Sequence, residues 1–141
     1  MPKDTLRPGL THTETILVTD RLIVPEMADY FSNFAGMPPV LATAYLVAFV
    51  EWTCVRFLAP HLLDGEHTVG THVDLSHTAA TPVGMRATAA IELVERDGRK
   101  LRFKVSCRDE RDAIGAGFHE RVVIDGARFL SRLAEKRAAR P

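Results

Sequence analysis

Glu51 is the only acidic residue in a long apolar segment. The segment reads LATAYLVAFVEWTCVRFL from Leu41 to Leu58, and no other acidic residue lies within ten positions of Glu51 on either side. On a helix, one face around Glu51 would consist of Ala44, Val47, Ala48, Cys54, Val55 and Leu58. An isolated carboxylate among apolar groups is costly to keep ionised. We therefore expect either a structural partner, such as Arg56, or a pocket in which Glu51 acts as a general base or nucleophile.

His77 could supply the second half of such a pocket. In a strand it shares a face with Val73 and Leu75, whose apolar side chains are expected to point inward. A single histidine on an apolar face is more often structural than catalytic. An imidazole and a carboxylate that both point inward, one from a strand and one from a helix, could however form an acid/base pair.

Thr43 is a third polar residue in the same region. It precedes Glu51 by eight positions, which is about 12 Å along an ideal helix. The two side chains could therefore not touch if both belonged to one regular helix. Contact would need Thr43 to lie in an entry loop or to act from the far side of a bound substrate, so spacing alone favours a plain helix residue.

Other kinds of site find less support. His67, His72 and His77 are spaced by five, which puts neighbours on opposite faces of a strand, and we expect no metal site. The sequence contains no glycine-rich phosphate loop. Its serines lack the context of a nucleophile elbow.

The elements that position these residues follow from hydrophobic patterning. A single domain over residues 1–141 is expected to begin with an extended lead-in at 1–12. The predicted elements are a strand at 14–19 that residues 22–24 could extend, a short helical turn within 26–34, an apolar helix at 40–58, strands at 68–77, 85–95, 101–107 and 114–124, and a basic C-terminal helix within 127–141. Asp97-Gly98 predicts a hairpin turn. We expect the C-terminal helix to dock through Phe129, Leu130 and Leu133.

A helix that is apolar on almost every side must be buried. The simplest way to bury it is to wrap about five antiparallel strands around it. The sequence therefore predicts an α+β structure of the hot-dog type.

Composition excludes some partners. Eighteen basic residues balance eighteen acidic ones, so no electrostatic surface for nucleic acid is expected. The longest apolar stretch is shorter than the roughly 20 residues that span a bilayer, and the N-terminus has no signal-peptide core. Cys54 and Cys107 both fall on apolar faces and are read as small hydrophobic residues without a disulfide. We expect a cytoplasmic protein that does not bind membranes.

Three segments resemble one known family. The segments ATAYLVAFVEW, VGTHVDLSHTAATPVG and GAGFHERVVI are similar to the fluoroacetyl-coenzyme A thioesterase group of hot-dog proteins, and the similarity runs from about Gly9 to Ile124. The resemblance implies a homodimer whose two sheets join into one, and a tetramer built from two such dimers stays open. It also implies that acyl-coenzyme A enters at the dimer interface and that no separate cofactor is needed.

The same resemblance implies roles for individual residues. The group's catalytic threonine, glutamate and histidine fall on Thr43, Glu51 and His77. Its glycine against the thioester carbonyl falls on Gly70, and an arginine of its acyl pocket falls on Arg121. Glu51 would attack the carbonyl or deprotonate a water molecule, while His77 would protonate the thiolate or position the water.

One position departs from the group's pattern. The group gates its acyl pocket with two phenylalanines; Phe34 matches the first, but Met37 occupies the second position. Two further functions stay open besides hydrolysis of fluoroacetyl-coenzyme A, and only the first of them is suggested by this departure. One is a general short- or medium-chain acyl-coenzyme A thioesterase, and the other is a non-catalytic acyl-coenzyme A binding module.

Overall fold

A five-stranded antiparallel sheet forms most of the protein. The computed structural model describes residues 1–141. In chain order the elements are β1 (Thr11–Leu17), a 3-10 helix (Val24–Met27), α1 (Thr43–Leu58), a 3-10 turn (Ala59–His61), β2 (Glu66–Leu75), β3 (Arg86–Asp97), β4 (Lys100–Asp109), β5 (Ala113–Asp125) and α2 (Gly126–Ala138). The strand order is β1-β3-β4-β5-β2. The predicted α+β arrangement is therefore confirmed, and β2 lies at an edge of the sheet.

Strict alternation in β3 and β4 builds the core. The inward residues of these strands are all buried: Ala87, Ala89, Ile91, Leu93, Leu101, Phe103, Val105 and Cys107. The two strands pair around the turn at Asp97 and Lys100, where Gly98 takes a positive φ of 58°. A positive φ suits glycine because it has no Cβ. Both the predicted alternation and the predicted hairpin are confirmed.

Helix α1 covers the inner face of the sheet with one side only. Its buried residues are Leu46, Phe49, Val50, Thr53, Cys54, Phe57 and Leu58. The opposite side exposes Ala44, Ala48, Trp52 and Val55. The expectation of a helix buried on every side is therefore wrong for one copy of the chain, because the sheet reaches only half of its circumference. An apolar helix face is left without a partner.

Two N-terminal predictions need correction. Residues 22–24 do not extend a strand; Ile23 forms only an isolated bridge to Leu41, and the 3-10 helix begins at Val24 with Pro25 in its first turn. The first strand runs from Thr11 to Leu17 rather than from 14 to 19. Ahead of this strand, Leu6 is fully buried in the core.

Helix α2 forms where predicted but does not dock as predicted. Asp125 caps its N-terminus by accepting a hydrogen bond from the backbone N–H of Arg128. No residue of α2 is buried, and Leu130 and Leu133 are 66% and 46% exposed. The expectation that these two leucines are docking contacts is wrong, and of the three predicted contacts only Phe129 is half-buried.

The remaining global predictions concern cysteines and membranes. Cys54 and Cys107 are both buried and free, as the sequence indicated. Neither helix is long and apolar enough to cross a membrane.

Candidate active site

The carboxylate of Glu51 is held by a buried arginine. Glu51 lies on the open side of α1, and its Oε2 accepts a hydrogen bond from Nη1 of Arg121 at 2.8 Å. The Arg121 side chain is 5% exposed, whereas that of Glu51 is 41% exposed. Arg56, the partner considered from the sequence, instead donates to Glu14 at 2.8 Å. Glu51 is thus neither fully buried nor isolated, and its Oε1 has no protein partner.

Arg121 is itself fixed by two strands. It lies on the inward side of β5, where its Nε donates to Thr68 Oγ1 and its Nη2 donates to the Thr68 carbonyl, both at 2.9 Å. Nη1 also lies 3.1 Å from Nε2 of His119. A guanidinium offers five N–H donors in a rigid plane. Contacts on three sides therefore leave it no freedom to rotate away from Glu51.

Gly70 allows the carboxylate to approach the sheet. A Cβ atom built on Gly70 would lie 2.8 Å from Glu51 Oε2, 3.2 Å from His119 Cε1 and 3.4 Å from Arg121 Nη1. Only glycine fits at this point without displacing its neighbours. The register of β2 against β5 shifts between Gly70 and His72, which marks a bulge beside the carboxylate.

A second polar group lies at the start of α1. Oγ1 of Thr43, the first residue of the helix, is 2.8 Å from Nδ1 of His77, which follows the end of β2 by two residues. The other ring nitrogen of His77, Nε2, is buried and has no hydrogen-bond partner in the protein. Burial lowers the pKa of His77 below its ordinary value. The ring is therefore neutral at pH 7 and has one nitrogen free for a substrate or water.

These residues form two separate groups within one chain. Thr43 and Glu51 both belong to the regular part of α1, so their backbones lie about 12 Å apart. Glu51 makes no hydrogen bond or ion pair with Thr43 or His77. The direct Glu51–His77 pair considered from the sequence does not form in a single copy of the chain.

The expected gate residues share one turn of the loop before α1. Phe34 packs against Phe31 with 5.7 Å between ring centroids, and its carbonyl accepts a hydrogen bond from the backbone N–H of Met37. Phe34 is half-buried and Met37 is 46% exposed. Asn33, immediately before this turn, is the only residue other than glycine with a positive φ.

Sequence reasoning missed two residues of the Glu51 group, Thr68 and His119. A signal for His119 was available, because alternation in the segment HERVVI puts it on the same strand face as Arg121 and Val123. Thr68 could not be found in this way, since its contact depends on the pairing of β2 with β5. No group of three or more His, Cys, Asp or Glu residues is placed to hold a metal ion.

Comparison with known proteins shows the family of the chain. The FlK family, described as fluoroacetyl-CoA-specific thioesterase, matches residues 23–127. A fluoroacetyl-CoA thioesterase from Streptantibioticus cattleyicolor is 39% identical over 137 residues, which cover 97% of this chain and 99% of that protein. This chain belongs to the FlK family. The resemblance drawn from the sequence is confirmed.

Solved structures place the FlK-family chain among hot-dog proteins. A structure of the fluoroacetyl-CoA thioesterase FlK superposes with a TM-score of 0.91 at 38% identity and covers 98% of this chain and 100% of that one. A variant of that enzyme in complex with fluoroacetate and CoA gives a TM-score of 0.86 at 40% identity, covering 88% and 99%. A thioesterase superfamily member from Thermus thermophilus gives 0.82 at 26% identity, covering 95% and 97%. The predicted hot-dog fold is confirmed.

Proposed function

We propose that this FlK-family protein hydrolyses the thioester bond of a short acyl-CoA and releases the free acid and CoA. The observation that carries the proposal is the Glu51 carboxylate, which has one oxygen held by buried Arg121 and the other free on the open side of α1. Family membership and the fluoroacetyl-CoA thioesterase from Streptantibioticus cattleyicolor support the same reaction.

The free oxygen of Glu51 can act in two ways. It can attack the thioester carbonyl, so that the C–S bond breaks, a mixed anhydride forms and CoA leaves as a thiolate; water then cleaves the anhydride and regenerates the carboxylate. Alternatively it can take a proton from a water molecule that attacks the carbonyl directly. In both routes we propose that the backbone N–H of Gly70 stabilises the oxyanion, because the family's glycine at this position lies against the thioester carbonyl and Gly70 is adjacent to Glu51 Oε2.

His77 can serve either route through its Nε2, the nitrogen without a protein partner. Its pKa is lowered by burial, so the ring is neutral at pH 7. If Nδ1 donates to Thr43 Oγ1, Nε2 has a lone pair that can accept a hydrogen bond from water and position it. If Thr43 donates to Nδ1, Nε2 carries a hydrogen that it can give to the departing thiolate. In both cases Thr43 orients the ring.

The complete site would need two copies of the chain. The unpartnered surfaces of one copy include the edge of β2 that faces away from β5, next to Gly70, and the apolar side of α1 around Glu51. Exposed strand edges and apolar helix faces are the features that homodimers bury. We propose a twofold dimer that joins these surfaces and brings the Thr43–His77 pair of one subunit to Glu51 of the partner subunit. We propose further that two such dimers can associate into a tetramer.

The reducing cytoplasm is the compartment we propose for this enzyme. Two free and buried cysteines are compatible with it.

Release of free thiol from a panel of acyl-CoA substrates tests the proposed activity. Acetyl-, fluoroacetyl-, phenylacetyl- and hexanoyl-CoA would be incubated with the protein and a thiol-reactive dye, with Glu51→Gln as the inactive control. We expect turnover of at least one short acyl-CoA by the wild type. Tight binding of every substrate without thiol release would instead identify an acyl-CoA binding module.

A thioesterase without preference for fluorine is the second candidate function. It is favoured by Met37, which stands where the family has a gating phenylalanine and which is 46% exposed. A flexible thioether seals a pocket less tightly than an aromatic ring. The ratio of kcat/KM for fluoroacetyl-CoA to that for acetyl-CoA should therefore rise in Met37→Phe. An unchanged ratio would mean that this position does not set the preference.

Mixing of inactive variants tests the shared site. Glu51→Gln and His77→Ala subunits would be purified separately, mixed and allowed to exchange. If each site combines Glu51 and His77 from different subunits, every mixed dimer contains one intact site. Statistical exchange then restores about a quarter of wild-type activity. No recovery after confirmed exchange would place both residues of a site in the same subunit.

A further inference from the structure

His119 is a buried histidine to which neither proposed chemical route assigns a role. It lies on the inward side of β5, two residues before Arg121, and is 2% exposed. Its Nδ1 is 2.8 Å from the carbonyl oxygen of His72 on β2, and its Nε2 is 3.1 Å from Nη1 of Arg121. Both ring nitrogens therefore have a partner.

The two partners determine where the imidazole proton lies. The His72 carbonyl can only accept a hydrogen bond, so Nδ1 must carry the proton. The guanidinium of Arg121 can only donate, so Nε2 must present its lone pair. A second proton on Nε2 would break the contact and face a cation. Burial, and then the charge of Arg121, lower the pKa of His119, which agrees with a neutral ring.

The lone pair on His119 Nε2 gives the second N–H group of Arg121 Nη1 an acceptor. Nη1 has two N–H groups; one donates to Glu51 Oε2 at 2.8 Å and the other is directed to His119. Thr68 receives the donors from Nε and Nη2. Without an acceptor at position 119, a buried N–H would lack a partner, and the guanidinium would gain by rotating toward another one.

We propose that neutral His119 is a positioning residue that holds Arg121 in the orientation that directs the free Oε1 of Glu51 toward the substrate. The proposal rests on the hydrolytic function proposed for this site. The Nε2 lone pair of His119 orients Arg121, and Arg121 in turn orients Glu51. His119 itself need not touch the substrate.

The charged and titratable groups around His119 come from three elements. They are Glu51 on α1, His72 on β2 and Arg121 on β5. Cys54 on α1 interacts with the charges of Arg121 and Glu51, but burial raises the pKa of its thiol to about 12, so this group stays neutral in the range of interest. Protonation of His119 at low pH would remove the acceptor for Arg121. Activity should therefore decrease on the acid side in part through His119.

A pair of substitutions separates the acceptor from the bulk of the ring. His119→Leu keeps apolar volume but has no acceptor, whereas the side-chain carbonyl of His119→Gln can take the place of Nε2. We expect kcat to fall 10- to 100-fold in His119→Leu with little change in KM, because a misdirected reactive group costs on the order of that factor. His119→Gln should restore most of kcat and shift the acid limb of the pH profile. Wild-type kcat in a folded His119→Leu variant would overturn the proposal.

Two further measurements keep the result interpretable. In the Glu51→Gln background, His119→Leu should cause no further loss of kcat; an equal loss in both backgrounds would mean that His119 acts independently of Glu51.

Nitrogen NMR of the wild type should show a protonated Nδ1 and an unprotonated Nε2 on His119 at pH 7, and the opposite tautomer would overturn the proposal even if His119→Leu fails to fold. If the wild type releases no thiol from any acyl-CoA, the proposed function fails, while the NMR result still decides the orientation of His119.

Discussion

Replacement of Gly70 by alanine tests the geometry around Glu51 with a single methyl group. The φ of Gly70 is not in the left-handed region, so alanine can adopt the strand backbone without strain. Its Cβ would nevertheless lie 2.8 Å from Glu51 Oε2 and 3.2 Å from His119 Cε1. Ordinary contact begins near 3.4 Å. The carboxylate must therefore move by at least about 0.6 Å, while Arg121 pulls it back toward the methyl group.

This displacement sets the expected size of the effect. A shift of 1 Å in a reacting group can cost about 100-fold in rate, so a shift of about half that size should lower kcat/KM roughly 10- to 100-fold. Gly70 itself is exposed and the clashing oxygen ends a side chain that is 41% exposed, so the loss of stability should be small, on the order of 1 kcal/mol or less. The variant should thus stay folded and become a poor enzyme.

Steady-state thiol release, together with thermal unfolding, would measure both effects. The matched control is the same substitution in the Glu51→Gln background, where the residual rate should not fall further because the reactive carboxylate is already absent. Wild-type kcat/KM in a folded Gly70→Ala variant would refute the argument, since it would show that the position of Glu51 beside Gly70 is not the reactive one.

Three further predictions test the remaining parts of the structure. Thr43→Ala should lower kcat about 10- to 100-fold because His77 Nδ1 loses its hydrogen-bond partner, whereas Thr43→Ser should retain most activity. Equal kinetics of the two variants would contradict the role of Thr43 in orienting His77. Arg96→Gln should lower the free energy of unfolding in urea by about 1–3 kcal/mol, since its guanidinium binds the carbonyls of three N-terminal residues, while exposed Arg99→Gln serves as the neutral control. Stability should decrease as the pH drops below the ordinary histidine pKa of 6.5, because the folded state lowers the pKa values of His77 and His119; the slope can reach at most about 1.4 kcal/mol per pH unit for each histidine. The sign follows because the unfolded chain takes up protons that the folded state, with lowered pKa values, does not; equal stability at pH 7 and pH 5.5 would contradict it.

Local patterning predicted the elements that carry the core. Alternation in β3 and β4, the Asp97-Gly98 turn and the apolar helix all depend on neighbours within a few residues, and all are present. The start of α1 was placed three residues early, because Val40 and Leu41 form bridges to Pro82 and Ile23 that no local pattern reveals.

The surroundings of Glu51 were harder to predict, because they depend on contacts that are distant in sequence. Arg121 lies 70 positions from Glu51, and the two meet only because β5 pairs with β2. The sequence indicated that Glu51 was unusual but offered Arg56 as its partner. It also implied a buried helix, whereas the helix face around Glu51 is open in one copy of the chain. Both errors have the same origin. Local patterning identifies a polar residue among apolar ones, but its hydrogen-bond partner and its exposure depend on contacts between elements that are distant in sequence.

The site residues expected from the family resemblance are distributed over two groups in the single chain. The Thr43–His77 pair and the Glu51–Arg121 pair each form, but about two turns of α1 separate them. Spacing along the helix already indicated that Thr43 and Glu51 could not touch. The unpartnered edge of β2 and the open side of α1 give a physical reason why a second copy would be needed to bring the groups together.

The most direct test of the central claim is the rate of thiol release by Glu51→Gln with the best substrate of the acyl-CoA panel. This substitution keeps the shape of the side chain and an oxygen for Arg121, but it removes the charge and the reactive oxygen. We expect a loss of at least about 100-fold in kcat with the fold and substrate binding retained. Turnover at the wild-type rate would contradict it, because Glu51 could then be neither the nucleophile nor the base.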